Sequence, residues 1–160
     1  MAVLGAAGRP LTVKRWLSST PRRTFVLYPV LVAVVEVLSR GGLDVHWIGA
    51  PLLAWGYLQY RLSGLYRTRH GGGGPGVDNP PVRLVTTGIY RFTRNPMYSG
   101  HLIFMLGLAI TFGSWAALAL LGFHLWWFQQ RVLEDERHMS ERFGAQYEAY
   151  ARQVRRWGVI

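Results

Sequence analysis

An all-α, polytopic membrane protein with about four transmembrane helices is the fold this 160-residue chain predicts, and three observations carry that expectation. Half of the residues are hydrophobic and fall into four long blocks. Lysine and arginine collect outside those blocks, as they do in membrane-protein loops. The last two blocks are parted only by Gly113 and Ser114, the signature of a helical hairpin with a tight turn.

The first block, Phe25 to Leu38, carries Pro29 and Glu36. It needs its flanks to cross the roughly 30 Å of bilayer hydrocarbon. The second runs from about Val45 to Tyr66, with Arg61 near its end, and the third and fourth cover Met97 to Phe112 and Trp115 to Phe128. A buried core helix is the alternative for any single block; four within one short chain weigh against it. Five basic side chains precede Phe25 and no small-residue cleavage site follows Leu38, so a true first span is expected rather than a signal peptide.

The chain has 18 Lys plus Arg against 8 Asp plus Glu, a formal charge of +10. Apolar blocks of this length argue against nucleic acid as the partner, and membrane lipids are expected instead. Arg9, Lys14, Arg15, Arg22 and Arg23 lie before the first block, and Arg67, Arg69, Arg83, Arg91 and Arg94 between the second and third. Six more arginines run from Arg131 to Arg156, whereas the Gly113–Ser114 turn has none. The positive-inside rule then puts both termini and the central loop in the cytoplasm. Without cysteine there is no disulfide, thiol nucleophile or thiolate-bound metal.

The central loop holds a glycine run, His70 to Val82. A phosphate-binding glycine loop needs a strand before it and a helix after it; an apolar block precedes this one and a proline pair follows, so it reads as a flexible connector. No internal repeat and no Ser-His-Asp signature is present.

The stretch from Leu84 to Gly100, LVTTGIYRFTRNPMYSG, is richer. Pro96 suits the first position of a helix and Asn95 its cap, so the third helix is expected to begin at a positively polarised end that favours anions. Arg91 and Arg94 add charge, and Tyr90 and Tyr98 offer aromatic faces with polar tips. An interface belt of Tyr and Arg is the plainer explanation. A second polar run, Arg131 to Trp157, places Glu134, Asp135 and Glu136 at the end of the fourth block, with Glu134 and His138 on one face. A solvated helix face does not account for three adjacent acids where desolvation is costly.

The ordered set of Arg94, Pro96, Tyr98 and Gly100, then Glu136, then Phe143, Gly144, Tyr147, Tyr150, Arg156 and Trp157 resembles the integral-membrane methyltransferases related to isoprenylcysteine carboxyl methyltransferase and the phospholipid methyltransferases. The match covers about Leu84 to Trp157. Asn95 stands where that pattern has His, and Asp135 where it has the first Glu of a pair. Asn keeps hydrogen-bonding capacity yet cannot act as an acid or base near neutral pH.

The resemblance implies S-adenosylmethionine as methyl donor, bound between the hairpin and a cytosolic C-terminal helical tail. It implies one membrane methyltransferase domain over 1–160: N-terminal spans in 1–66, a Gly/Pro-rich connector in 67–83, and the cofactor-binding and catalytic region in 84–160. Gly88, Tyr90, Asn95, Pro96, Tyr98 and Gly100 are expected around the cofactor. Asp135 and Glu136 are expected on its ammonium or ribose hydroxyls, and Arg94 on a carboxylate. Arg94 and Glu136 are the expected catalytic pair. No metal is expected: His101 and His124 read as helix-packing residues, Trp126 and Trp127 as an interface belt, and Glu36 faces either a partner or an aqueous cavity.

The acceptor stays open between a lipophilic molecule, isoprenylcysteine carboxylate-like or phospholipid-like, and a small molecule from the cytosol, and so does O-, N- or S-methylation. Two other classes compete. A membrane reductase using NADPH is one, since sterol reductases resemble the same architecture; the acidic pair and short tail favour the methyltransferase. A non-catalytic protein binding anionic lipid is the other, for which ordered aromatics and acids would be unnecessary.

Overall fold

A computed structural model describes residues 19–73 and 81–158. Arg9, Lys14 and Arg15 of the basic N-terminal segment, and 74–80 of the expected connector, lie outside the described residues. A helical turn, Thr20–Arg22, runs through a π-helical segment, Arg23–Leu27, into helix α1, Tyr28–Arg40, which stops where Gly41 turns left-handed at φ 76°. A 3₁₀ turn at Trp47–Gly49 leads into α2, Ala50–Gly71, with Pro51 in its first turn. A second 3₁₀ turn, Gly88–Arg91, precedes α3, Pro96–Phe112. Helix α4, Trp115–Phe143, opens on Ser114, whose hydroxyl accepts from Ala117 N at 3.1 Å, and α5, Ala145–Gln153, follows the break at Gly144.

The all-α class and the α3–α4 hairpin match the sequence reading, and the described residues contain no strand. The span count does not carry over in the same way: no described helix is long and apolar enough to cross a membrane. The reason is local. Helix α1 has 13 residues and α3 has 17, both short of the ~20 needed. Helix α2 has 22 residues but interleaves Gln59, Arg61, Arg67 and Arg69, and α4 turns from apolar to charged beyond Phe128.

Helices α2 and α3 pack backbone to backbone along a seam of glycines. Gly56 on α2 faces Gly100 on α3, and Gly49 just before α2 faces Gly107; the two glycines on each side are seven residues, two helical turns, apart. A Cβ on Gly100 would sit 2.8 Å from both Gly56 O and Tyr60 N, and one on Gly107 only 2.7 Å from Leu53 N. Tyr28 and Val32 of α1 pack on Met105, Leu108 and Ala109 of α3 and Ala117 of α4.

Glu36 is buried. It pairs with Arg40 at 3.0 Å, and Arg40 caps α3 through Phe112 O at 3.3 Å and Gly113 O at 2.9 Å. His124 bonds the Tyr28 hydroxyl at 3.0 Å and Leu120 O at 2.9 Å, tying α1 to α4.

Candidate active site

Two distant stretches of chain, 93–95 and 155–157, lie side by side and bring the polar motifs together. Arg94 N donates to Arg155 O at 3.0 Å, and Thr93 Oγ1 donates to Arg156 O at 2.9 Å. Trp157 Nε1 closes the clasp on Gln129 of α4 at 2.8 Å. Beneath it, the Tyr150 hydroxyl donates to Tyr90 O at 2.6 Å, and the Tyr90 hydroxyl to Ser63 O at 3.3 Å. Gln59 Nε2 donates to Pro96 O at 3.0 Å, so α2 supports the start of α3. The tail helix, the 3₁₀ turn and α2 are thereby tied by buried hydrogen bonds.

The clasp converges on Glu136. Arg156 grips the carboxylate at two points, Nε to Oε1 at 3.0 Å and Nη2 to Oε2 at 2.9 Å, and Arg94 Nη2 adds a third contact at 3.3 Å. The hydrogen bond to Glu136 is the largest influence holding the Arg156 guanidinium above its usual range. Asn95 occupies the cap position of α3 but its side chain makes no capping bond. The amide instead donates to Arg156 O at 3.3 Å and reaches Glu136 Oε1 at 3.5 Å, and Ser99 covers Asn95 O. The cap expected from sequence gives way because a carboxylate and a carbonyl compete for that side chain.

Asp135 turns a different way. Its Oδ2 accepts from the Tyr98 hydroxyl at 2.7 Å, and Arg131 Nε lies 4.0 Å from Oδ1. Desolvation raises the carboxyl above its usual range, against the opposing pull of Tyr98 and Arg131. Burial, reinforced by Glu136, pushes the Tyr147 phenol up to about 12, so it is a neutral hydrogen-bonding group at physiological pH. Glu134 makes none of these contacts: although it borders the same cavity, its half-exposed side chain pairs with Arg131 at 3.3 Å rather than with His138.

Beside these groups opens a cavity of about 1390 Å³. Tyr90, Arg94, Asn95, Pro96, Tyr98, Asp135 and Glu136 all face it. Gly88 and Gly100 do not. Gly88 turns with φ 60° against the Tyr66 ring, and Gly100 belongs to the α2–α3 seam. Sequence reasoning noted Tyr147, Tyr150 and Arg156 in the motif without assigning them a contact. Ser19 to Arg23, which also border the cavity, carry no motif at all; only the path of the folded chain brings them there.

Residues 46–146 match the model of the phospholipid methyltransferase family, spanning α2 to the start of α5. The chain belongs to that family. Among curated proteins this phospholipid methyltransferase family member is 33% identical to protein-S-isoprenylcysteine O-methyltransferase B of Arabidopsis thaliana, over 96% of this chain and 80% of the relative. It is 38% identical to protein-S-isoprenylcysteine O-methyltransferase of Schizosaccharomyces pombe over 44% of this chain, and 34% identical to a probable one of Oryza sativa subsp. indica over 45%. The aligned regions span only 30% and 38% of those two relatives' lengths.

Proposed function

We propose that the chain transfers a methyl group from S-adenosylmethionine to a lipophilic or small-molecule acceptor at the cytosolic face of a membrane. The observation that carries this reading is the convergence of Arg94, Asn95 and Glu136 on a large cavity, with Arg156 of the tail clasping Glu136 from behind, so that three separated parts of the chain meet there.

The residues present fit that donor. The cavity of about 1390 Å³ exceeds the roughly 300–1,000 Å³ of a pocket for one drug-sized ligand, leaving room for donor and acceptor together. Arg94 Nε is buried with no hydrogen-bond partner among the described residues, a donor left over for a ligand carboxylate. Asp135 offers Oδ1 to an ammonium or a hydroxyl, and Tyr90 and Tyr98 offer aromatic walls. When bound, S-adenosylmethionine supplies a methyl group on a positively charged sulfur that departs as a neutral thioether.

Glu136 acts here as a positioning residue. Its charge is taken up by two arginines, so it sets the direction of Arg94 and locks the tail over the cavity, which excludes water and orients what is bound. Asn95 cannot remove a proton near neutral pH, so the acceptor reacts through an atom that needs no proton taken by residue 95.

The membrane setting is part of the same proposal. It is supported by the arginine distribution and by exposed apolar side chains such as Leu38, Trp47, Ile48 and Trp115. The isoprenylcysteine methyltransferase relatives and the phospholipid methyltransferase family favour an isoprenylcysteine-like or phospholipid-like acceptor. Membrane extracts incubated with the protein and isotopically labelled S-adenosylmethionine, read by mass spectrometry, test the reading. A labelled extract molecule is expected; no label above that of an extract without the protein would refute it.

A further inference from the structure

Of the buried side-chain atoms without a hydrogen-bond partner among the described residues, Arg94 Nε lies at the Glu136 end of the cavity, while two others border its far side: Arg23 Nε and His101 Nδ1. Trp127, which faces Arg23, precedes Glu136 by nine residues on α4, about 13 Å along the axis at 1.5 Å per residue. The cavity therefore has a second polar locus, too far along the helix to share the Glu136 clasp.

The π-helical segment Arg23–Leu27 builds it. Such segments widen a helix by one residue and re-aim its side chains. Here the Arg23 guanidinium lies over the Trp127 ring at 5.2 Å while Nη2 reaches Thr20 Oγ1 at 3.3 Å, leaving Nε. Phe25 stacks on His101 at 4.8 Å, and Tyr60 and Phe128 flank the same imidazole at 4.7 and 5.7 Å. His101 is only 3% exposed. Leaving a buried ring nitrogen unpaired is costly, and an apolar residue of similar size would fill that aromatic pocket without the cost.

Resting on the methyltransferase reading, we infer that Arg23 and His101 form an acceptor subsite for an oxyanion, a carboxylate or a phosphate, whose apolar part lies against Tyr60 and Trp127. Both free groups serve as N–H donors, with His101 in the Nδ1–H tautomer, and a guanidinium with a neutral imidazole matches an anion's oxygens. The aromatic walls select a lipophilic carrier for that anion. The donor end at Glu136 and the acceptor end at Arg23 then meet across one cavity.

Equilibrium binding of three probes to the purified full chain in detergent tests this: an S-prenylcysteine with a free carboxylate, its neutral methyl ester, and a lysophospholipid bearing a phosphate. One anionic probe should bind about 10- to 100-fold more tightly than the ester, which names the source as carboxylate or phosphate. Arg23→Gln should erase that preference, Arg23→Lys should keep part of it, and His101→Phe should weaken the anionic probe, all with donor affinity unchanged. Equal binding of the ester, no binding of any probe, a preference that survives Arg23→Gln, or loss of donor affinity in that variant would overturn the subsite. A wild type that prefers the anionic probe but binds no S-adenosylmethionine would instead sink the methyltransferase reading and leave the subsite standing.

Discussion

Arg156 holds Glu136 by both carboxylate oxygens, at 3.0 and 2.9 Å, across twenty residues of sequence. This is the geometry in which an arginine's planar fork matches a carboxylate, so a lysine in its place is not conservative. Glu136 and Arg94 are both 13% exposed at the side chain, which limits solvent screening of their own pair.

Glu136→Gln should therefore release Arg94 and loosen the tail, lowering donor affinity about 10- to 100-fold, the equivalent of about 1.5–3 kcal/mol, and abolish turnover. Glu134→Gln is the matched control. Its side chain is 49% exposed and its ion pair with Arg131 is worth about 0–1 kcal/mol. Donor titration and turnover of both variants check this; equal small effects would reduce the acidic run to a solvated helix face.

Asp135 gives a pH-dependent expectation. Desolvation raises its folded-state pKa above the ordinary 3.8, so the folded state binds the proton more tightly than the unfolded chain. That contribution to stability is present below about pH 4 and is lost as pH rises through the raised value. Asp135→Asn, which still accepts from Tyr98, should flatten this loss. Thermal midpoints of the two proteins from pH 4 to 7 should diverge as pH rises, the wild type falling relative to the variant; parallel curves would contradict the assignment.

Gly100→Ala should destabilise the fold through backbone contact alone. The added methyl meets Gly56 O and Tyr60 N at 2.8 Å, neither of which is the end of a flexible side chain, so α2 and α3 must part. A lower thermal midpoint is expected. An unchanged midpoint would show that the seam yields without cost.

The α-helical class and the order of the polar motifs were legible in the sequence because blocks of apolar residues and fixed motif spacings are local signals. Residues such as Arg94, Asn95, Tyr98 and Asp135 reached the cavity as their positions implied. The roles of others were not legible. Gly100 lies in the motif, yet its small size answers to Gly56 on another helix, a contact no local pattern announces. Asn95 reads as a cap until the tail arrives and offers its amide Glu136 and Arg156 O. Arg23 sits in no motif, and only the π-helical turn aims it at Trp127.

The proposed orientation is open to direct labelling because the chain has no native cysteine. Ser114 is a poor probe site, being 1% exposed and capping α4, whereas Val82 and Trp115 are 64% and 79% exposed. Single cysteines at those two positions should react with an impermeant reagent from opposite sides of the membrane. Reaction of both from one side would refute the orientation.

The central claim, that the cavity walled by Arg94, Asp135 and Glu136 receives S-adenosylmethionine, is tested most directly by titrating the purified chain in detergent with that donor, S-adenosylhomocysteine and NADPH in turn. Saturable binding of S-adenosylmethionine, competed by S-adenosylhomocysteine and weakened at least tenfold by Glu136→Gln, is the predicted result. Tight binding of NADPH with none of S-adenosylmethionine would contradict it.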